Sequence, residues 1–411
     1  MQQNFLLNEG YQSGKFFFEK GKGQFIYSKK KKYLDLSCCA GTLILGHNSE
    51  IFNSSLKDIS KKKISNYASL NIYASNFSRT IKKNIPQYSK FIMCNSGTES
   101  VSKGLRICRA VTKKRLIINV TGSWHGSVDE TLYMERNNKK FSLSNGLYSD
   151  DNEINFIPYN DIELSKKILD KNKNKIMCIL IEPIQACLPL QDSQKYLKFL
   201  YNYSKKNNLI LFFDEMITGL RAEGSTVQDF YKIKPDISTF GKCYGGGAPI
   251  GIIGINNKIE KKIKEKNLKI FFGGTFSANS INMYIANNTL KFILKNKKKI
   301  FSKINSFSDY FQKELNQYFK DNSLDMQVLK FQSMLRIVFS NKVVKNRYQR
   351  DFLEVEKNLK IELFKKFLMD NYIYYPGNGT IFFNYAMTIK DVKYLIDVIK
   401  KGTKKVFYEK K

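Results

Sequence analysis

The sequence predicts an α/β protein with two parts: a large domain around a mostly parallel sheet, and a smaller α+β domain built from both chain termini. Two observations predict this. From Lys90 onward, short apolar runs alternate with segments of helical periodicity, which is typical of βαβ units. Some of these runs, such as Leu209–Phe213, are apolar at every position, which indicates an interior strand covered on both faces.

The elements follow in order along the chain. Short alternating segments between residues 11 and 36 predict small antiparallel strands. The next strand-like runs are 91–94, 116–120, 176–181 and 209–213, with a helical pattern at Val101, Leu105, Cys108 and Thr112. Helical periodicity continues from 275 to 319, and a strand at 334–339, a helix at 354–369, a strand at 372–375 and a helix at 389–401 follow. We therefore expect an N-terminal part of the small lobe at 1–45, a large domain at 46–290 and a C-terminal small domain at 291–411.

Composition limits the possible partners. A chain of 411 residues exceeds what one hydrophobic core usually holds, and it contains neither an apolar stretch of membrane-spanning length nor a leader pattern. We expect a cytoplasmic protein. A net charge of +33 favours nucleic-acid binding in principle, but the lysines lie in short scattered runs without a recognised motif, so solvated faces are the preferred interpretation. Seven cysteines without CxxC spacing and two histidines predict neither disulfides nor a metal site.

One carboxylate and one lysine follow neighbouring strands. Asp214 ends the apolar run 209–213, and Lys242 comes 28 residues later, after the short apolar segment 237–240. The carboxyl ends of parallel strands meet at the edge where open α/β sheets bind ligands. An acid that keeps a pyridine nitrogen protonated and a lysine that forms a Schiff base are what pyridoxal phosphate needs, so the pair predicts this cofactor.

The turn after the strand 91–94 predicts an anion site. Gly97 permits a tight turn, and a helix that begins near Thr98 would present free backbone N–H groups and a hydroxyl to a phosphate, beside Ser96. The same residues also form an ordinary capping sequence, so both interpretations stay open.

Three further positions, Trp124, His125 and Glu182, reach the same predicted edge, and Thr275 is a separate candidate. Trp124, the only tryptophan, is flanked by glycines and can stack on a cofactor ring, although a single tryptophan is often a core residue. His125 beside it can be a hydrogen-bonding residue. Glu182 ends the run 176–181, where an unpaired buried carboxylate would be costly. The Gly-flanked Thr275 is by itself no more than a turn residue.

Together and in this order, these motifs resemble those of fold-type I pyridoxal-phosphate enzymes, specifically the class-III aminotransferases, and among them most of all the glutamate-1-semialdehyde aminomutases. The resemblance runs over most of the chain. It covers the segments 33–35, 45–48, 95–100, 123–126, 158–161, 182–183 and 214–221, Lys242 with its three glycines, and 274–275.

The resemblance implies a role for each position. Lys242 is the Schiff-base lysine and Asp214 the partner of the pyridine nitrogen. Ser96, Gly97 and Thr98 bind the phosphate, Trp124 stacks on the ring, and His125 and Glu182 complete the cofactor site. Thr275 reaches the phosphate of a neighbouring subunit, so the active unit is a homodimer with shared sites. The substrates are a small-molecule amino donor and a carbonyl acceptor.

The sequence also departs from the aminomutase pattern. Residues 5–15 contain no arginine where that family has one for the substrate carboxylate, and Cys187 replaces an asparagine. The basic segment 136–140 stands where a glycine-rich loop is expected, and we expect its Arg136, Lys139 and Lys140 to meet a sugar-linked or phosphorylated carbonyl substrate. These departures favour an aminotransferase acting on another carbonyl. A true glutamate-1-semialdehyde 2,1-aminomutase, or a basic nucleic-acid-binding protein on a degenerate enzyme fold, remains the alternative.

Overall fold

The computed structural model describes residues 17–136, 139–148 and 151–408. The strands are β1 (Lys20–Lys22), β2 (Phe25–Ser28), β3 (Lys31–Asp35), β4 (Lys90–Cys94), β5 (Leu116–Val120), β6 (Tyr133–Arg136), β7 (Lys139–Ser142), β8 (Ile154–Ile157), β9 (Ile176–Ile181), β10 (Ile210–Asp214), β11 (Ile237–Gly241), β12 (Gly251–Ile255), β13 (Gln327–Phe331), β14 (Met334–Val338), β15 (Ile373–Tyr374) and β16 (Thr380–Phe382).

The helices are α1 (Cys38–Gly41), α2 (Glu50–Lys61), α3 (Ile72–Asn84), α4 (Gly97–Thr112), α5 (Ile162–Asn172), α6 (Gln194–Lys206), α7 (Val227–Phe230), α8 (Asn257–Glu265), α9 (Ser280–Lys295), α10 (Lys297–Asp321), α11 (Arg347–Glu354), α12 (Asn358–Asp370) and α13 (Ile389–Thr403). In the described part of the chain, none of these helices has the length and apolar composition that crossing a membrane requires.

A mostly parallel sheet forms the centre of the protein. Within the described residues its seven strands lie in the order β4-β12-β11-β10-β9-β5-β8. Strand β12 runs antiparallel to both of its neighbours, while the pairs from β11 to β8 are parallel. The α/β class with a mostly parallel sheet is therefore confirmed. The antiparallel β12 and the edge strand β8 were not predicted.

Both faces of this sheet are buried, as the continuous apolar runs predict. Along β9, Cys178 and Leu180 belong to one buried apolar cluster, while Ile179 and Ile181 belong to another on the opposite face. The side chains of β10 alternate between the same two clusters. Because successive side chains of a strand point to opposite faces, a sheet covered on both sides needs apolar residues at every position.

The two ends of the chain pack together. Strand β15 pairs in parallel with β3, which extends the N-terminal hairpin into a four-stranded sheet of order β1-β2-β3-β15. Leu34 and Leu36 lie in the same buried cluster as residues of α10, α12 and α13. The division at residues 45 and 290 stays a prediction, and residue 290 lies inside α9. The part of the predicted N-terminal strand region before residue 17 lies outside the described residues.

Candidate active site

Asp214 and Lys242 line one cavity of about 420 Å³ at the carboxyl edge of the sheet. Asp214 is the last residue of β10, and Lys242 directly follows the neighbouring strand β11. These two strands are paired in parallel, which is why both side chains reach the same edge. Ser96, Gly97, Thr98, Trp124, His125 and Glu182 line this cavity as well.

Three donors hold the Asp214 carboxylate in a fixed orientation. Oδ1 accepts from the Thr239 hydroxyl at 2.9 Å and from the Met216 backbone N–H at 3.1 Å, while Oδ2 lies 2.9 Å from Nδ1 of His125. Asp214 is buried, and these contacts satisfy an anion that would otherwise be costly there. The carboxylate is therefore held in position to accept a hydrogen bond from a protonated group bound in the cavity.

His125 connects Asp214 to the sheet behind it. Its ring is buried, and its Nε2 lies 3.1 Å from Oδ1 of Asn119, on β5. Since an ionised carboxylate only accepts hydrogen bonds, Nδ1 donates to Asp214. His125 thus fixes the direction of the Asp214 carboxylate as well as lining the cavity.

Trp124 is not a core residue. Its side chain is 54% exposed, and it lines the cavity. The interpretation of Trp124 as core is therefore wrong, and its ring is available to cover a flat ligand. Its backbone N–H donates to Oε2 of Glu182 at 2.8 Å.

Lys242 has the properties of a nucleophilic amine. Burial lowers its pKa, against the opposing effect of the Asp214 and Glu182 charges. Among the described residues, no protein group accepts a hydrogen bond from its Nζ. Its backbone has a φ of 44°, a left-handed conformation that costs a non-glycine residue on the order of 1 kcal/mol. Strain of this kind is concentrated at functional sites.

Glu182 is a second buried carboxylate in the same cavity. Burial, and after it the negative charge of Asp214, raises the pKa of Glu182 to about 8. The Trp124 N–H and the Lys242 ammonium act in the opposite direction. With Asp214 and Glu182 facing one lysine, the cavity has fewer positive than negative groups when all are ionised.

Helix α4 begins at the other side of the cavity. Ser96 is its N-cap and accepts from the Glu99 backbone N–H, so the capping interpretation holds. The cap does not exclude an anion site, because Gly97 and Thr98 also line the cavity with the first N–H groups of the helix.

The glycine after His125 allows a close approach to this helix start. Gly126 has a φ of +77°, and a Cβ there would lie 2.5 Å from Oγ1 of Thr98. The same hydroxyl accepts from the Ser127 N–H at 3.1 Å. Any larger residue at 126 would displace Thr98.

These groups fit pyridoxal phosphate. The excess of carboxylates favours a cationic ring beside Asp214 and Glu182, and the helix start favours a phosphate at the opposite side. Between them stands Lys242, an amine whose pKa burial lowers. The cavity thus contains acids for the ring nitrogen, N–H donors for the phosphate and an amine for the Schiff base.

Two predicted features lie elsewhere. Thr275 is exposed and does not line the cavity of its own chain. Of the basic segment 136–140, the described residues Arg136, Lys139 and Lys140 do not line it either, and Lys140 donates to the Asp151 carbonyl. The expectation that this segment meets the substrate is not supported within one chain.

Two residues that act on Asp214 were not predicted from the sequence. Thr239 faces Asp214 in the β10–β11 register, and Asn119 supports His125. For Thr239 a signal existed, because a polar residue inside the apolar segment 237–240 is unusual in a buried strand. For Asn119, inside the apolar run 116–120, the signal was the same.

Comparison with known proteins gives the family of the chain. A family model described as aminotransferase class-III matches residues 7–360, and the chain belongs to this family. It is accordingly a pyridoxal-phosphate-dependent enzyme with the fold-type I architecture.

Relatives and solved structures add detail. The chain is 33% identical to a glutamate-1-semialdehyde 2,1-aminomutase of Wigglesworthia glossinidia brevipalpis, over 85% of this chain and 80% of the relative. It is 30% identical to the protein of that name from Thermosipho melanesiensis, over 94% and 92%. An omega-transaminase from Sphaerobacter thermophilus has a similar fold, with a TM-score of 0.84 at 19% identity over 94% of this chain and 90% of that one.

Proposed function

We propose that this enzyme transfers an amino group between a small-molecule amino donor and a carbonyl acceptor, with pyridoxal phosphate held covalently by Lys242. The observation that carries the proposal is the shared cavity of Lys242 and Asp214. One side chain is an amine whose pKa burial lowers, and the other is a carboxylate fixed by three donors. A family member without either group would lack the means to bind and activate the cofactor.

The remaining cavity residues have distinct binding roles in this proposal. Gly97 and Thr98 bind the phosphate through the start of α4, with Ser96 holding that helix end in place. Trp124 covers the ring. Glu182, whose pKa is raised to about 8 by burial and by the charge of Asp214 when the cavity holds no cofactor, supports the ring edge.

The chemistry then depends on Lys242 and Asp214. When bound, pyridoxal phosphate supplies an electron sink that stabilises negative charge on the substrate carbon. Asp214 would hold the ring nitrogen and favour the protonated form of that nitrogen. Lys242, as a free amine, would accept a proton at Nζ from the substrate carbon and deliver it to a second carbon within reach of the same Nζ.

A second candidate is intramolecular transfer, as a glutamate-1-semialdehyde 2,1-aminomutase. The observation that favours it is the name shared by the relatives that match over most of this chain at 30% identity or more. The two reactions need the same cofactor residues, so they differ in substrate and not in Lys242 or Asp214.

The test is spectroscopic. The purified protein with pyridoxal phosphate should show the visible absorbance band of the lysine-bound cofactor, and Lys242→Ala should lose it. Lys261→Ala, an exposed lysine paired with Glu265, is the matched control. A band that survives in Lys242→Ala contradicts the proposal.

Substrates are then identified from the loss of that band when amines are added. Glutamate 1-semialdehyde is the first compound to test, followed by a panel of amino donors. Formation of 5-aminolevulinate without a second substrate favours the aminomutase, whereas a requirement for a separate carbonyl acceptor favours the aminotransferase.

We further propose a homodimer in which Thr275 serves the partner's phosphate site. The exposure of Thr275 on its own chain supports this, since it is too remote to line its own cavity. Mixed dimers of Lys242→Ala and Thr275→Ala chains contain one intact site, so mixing should restore cofactor affinity that each variant alone lacks. No gain on mixing contradicts shared sites.

A further inference from the structure

A second cavity of about 460 Å³ adjoins the Lys242 cavity. Trp124, Glu182 and Ile217 form a wall common to both. The second cavity extends from this wall toward β14 and α11 of the C-terminal region. A substrate whose reacting carbon lies at Lys242 can therefore extend past Trp124 into this space.

Arginines are concentrated in this cavity. Of the 69 lysines and arginines in the chain, only nine are arginines, and Arg336, Arg347 and Arg350 all line it. In a chain that uses lysine for nearly all of its basic positions, an arginine indicates a place where the planar guanidinium matters. Its fork of donors matches the two oxygens of a carboxylate, which a lysine ammonium does not.

Arg350 is a fixed structural part of the pocket. It donates to the Cys187 carbonyl and to the Asp351 carboxylate, and its Nε lies 3.5 Å from Glu354. This guanidinium is buried and well paired. Its function is to hold α11 against the segment after β9.

Arg336 has unused donor capacity. It donates to the Asn378 carbonyl and its Nη2 lies 3.6 Å from Glu354, but its buried Nε has no hydrogen-bond partner among the described residues. Burial and the nearby charge of Arg350 lower the pKa of Arg336. An anion bound in the cavity would accept a hydrogen bond from Nε and would raise the pKa of Arg336 again.

Arg347 is the most accessible of the three. Its Nε is 3.3 Å from Asp351, and within the described part of the chain its two Nη atoms donate to no protein group. Its side chain is about one-third exposed. It stands beside Gly122, near the wall shared with the Lys242 cavity.

Apart from Glu182 on the wall shared with the Lys242 cavity, the charged residues of this cavity leave one positive charge in excess. Three arginines face Asp351 and Glu354, and the remaining lining cation, Lys365, pairs with Glu362 at 2.7 Å. A single excess charge suits a carboxylate better than a phosphate, since a dianion would also be repelled by the two acids. Ile337, Phe339 and Ile361 supply apolar walls for a carbon chain.

We propose that Arg336 and Arg347 bind a carboxylate at the end of the substrate remote from the reacting carbon, so that the enzyme acts on amines and carbonyl compounds with a distal carboxylate. This proposal rests on the proposed function, because it assigns one end of the substrate of the same site. Arg350 is a positioning residue that keeps α11 in place.

The experiment measures binding and not amino transfer. Trp124 is the only tryptophan and lines both cavities, so its fluorescence reports occupancy of either. The protein with its cofactor is titrated with glutarate, with the uncharged glutaramide and with inorganic phosphate. We expect saturable quenching with glutarate, at far lower concentration than with either of the others.

Variants then locate the site. Arg347→Ala should weaken glutarate binding about tenfold or more, since one charge-assisted bidentate contact is lost, and Arg347→Lys should be weakened less. Arg115→Ala, an exposed arginine paired with Glu153, is the control and should bind as the original protein does. Arg347 is preferred to Arg336 and Arg350 because its removal breaks only one surface ion pair.

Kinetics give a second measure. With 5-aminopentanoate as donor, Arg347→Ala should raise KM and leave kcat nearly unchanged, whereas with pentylamine neither should change. Equal effects on both amines, unchanged glutarate binding in Arg347→Ala, or stronger binding of phosphate than of glutarate would overturn the proposal. The absorbance band of Lys242 is independent of these titrations, so failure of the pocket and failure of the proposed function are distinguishable.

Discussion

Glu182 and Asp214 stand in the same cavity at the ends of the adjacent strands β9 and β10, and the charge of Asp214 helps to raise the pKa of Glu182 to about 8. Burial is the larger cause. Two buried acids that face one lysine make a site that favours a cation. Glu182 and Asp214 therefore affect both the affinity for a cationic ring and the stability of the cofactor-free protein.

Glu182→Gln should change how the stability of the cofactor-free protein depends on pH. Between its ordinary pKa of 4.5 and about 8, folded Glu182 keeps a proton that the unfolded chain releases. The free energy of unfolding therefore falls as pH rises through this window, by up to about 1.4 kcal/mol per pH unit from this group. Glutamine is neutral at every pH, so this contribution disappears in the variant.

The measurement is the melting temperature of both proteins from pH 5 to pH 8. The variant should gain stability relative to the original protein as pH rises. Glu163→Gln, at an exposed position in the first turn of α5, controls for the loss of a surface carboxylate and should leave the pH dependence unchanged. Parallel curves for Glu182→Gln and the original protein would show that Glu182 is ionised normally.

Gly104→Ala should destabilise the protein and weaken cofactor binding together. A Cβ at 104 would lie 2.5 Å from Cζ of Phe212, a fully buried ring on β10. Alanine gains about 1 kcal/mol of helix propensity over glycine, but overpacking a core costs about 1–3 kcal/mol and dominates here. Because Gly104 lies in α4, the displaced helix would also move Gly97 and Thr98 at its start.

Melting temperature and cofactor titration check this result. Gly377→Ala is the control for stability, since a Cβ there has nothing within 4 Å. The double variant Gly104→Ala with Phe212→Leu removes the ring that causes the clash, so it should recover part of the cofactor affinity. If Gly104→Ala binds the cofactor normally, α4 does not set the position of the phosphate site.

How much of the site could be predicted depends on which contacts are local. Asp214 and Lys242 each follow an apolar run directly, and the parallel direction of such strands brings their ends to one edge, so both positions could be read from the sequence. The antiparallel β12 could not, because its direction depends on the connection that follows Lys242 and not on its own residues.

The cavity lined by Arg336, Arg347 and Arg350 could not be predicted in this way. Arg336 lies on β14 and Arg347 on α11, both more than 90 residues after Lys242, and only tertiary packing brings them beside Trp124. From the sequence, a substrate-binding cation was expected in the segment 136–140, which is near Trp124 along the chain. Distance along the chain was a poor guide because this cavity is closed by the C-terminal region.

Thr239→Val tests whether the orientation of Asp214 matters for cofactor binding. Thr239 pairs with Asp214 in the β10–β11 register and donates to Oδ1 at 2.9 Å. Valine keeps the volume and the β-branched shape that suit a strand, so the change removes only this donor. Hydrogen bonds to charged groups contribute about 1.5–3 kcal/mol, which predicts a loss of cofactor affinity of about tenfold or more.

The affinity is measured by titrating cofactor-free protein with pyridoxal phosphate and following the visible band. Thr112→Val, at the far end of α4 with its hydroxyl on the Cys108 carbonyl, is the matched control and should bind as the original protein does. The melting temperature of Thr239→Val without cofactor separates a local effect from general destabilisation. Unchanged affinity would mean that Met216 and His125 alone hold the carboxylate, since they remain as its two other donors.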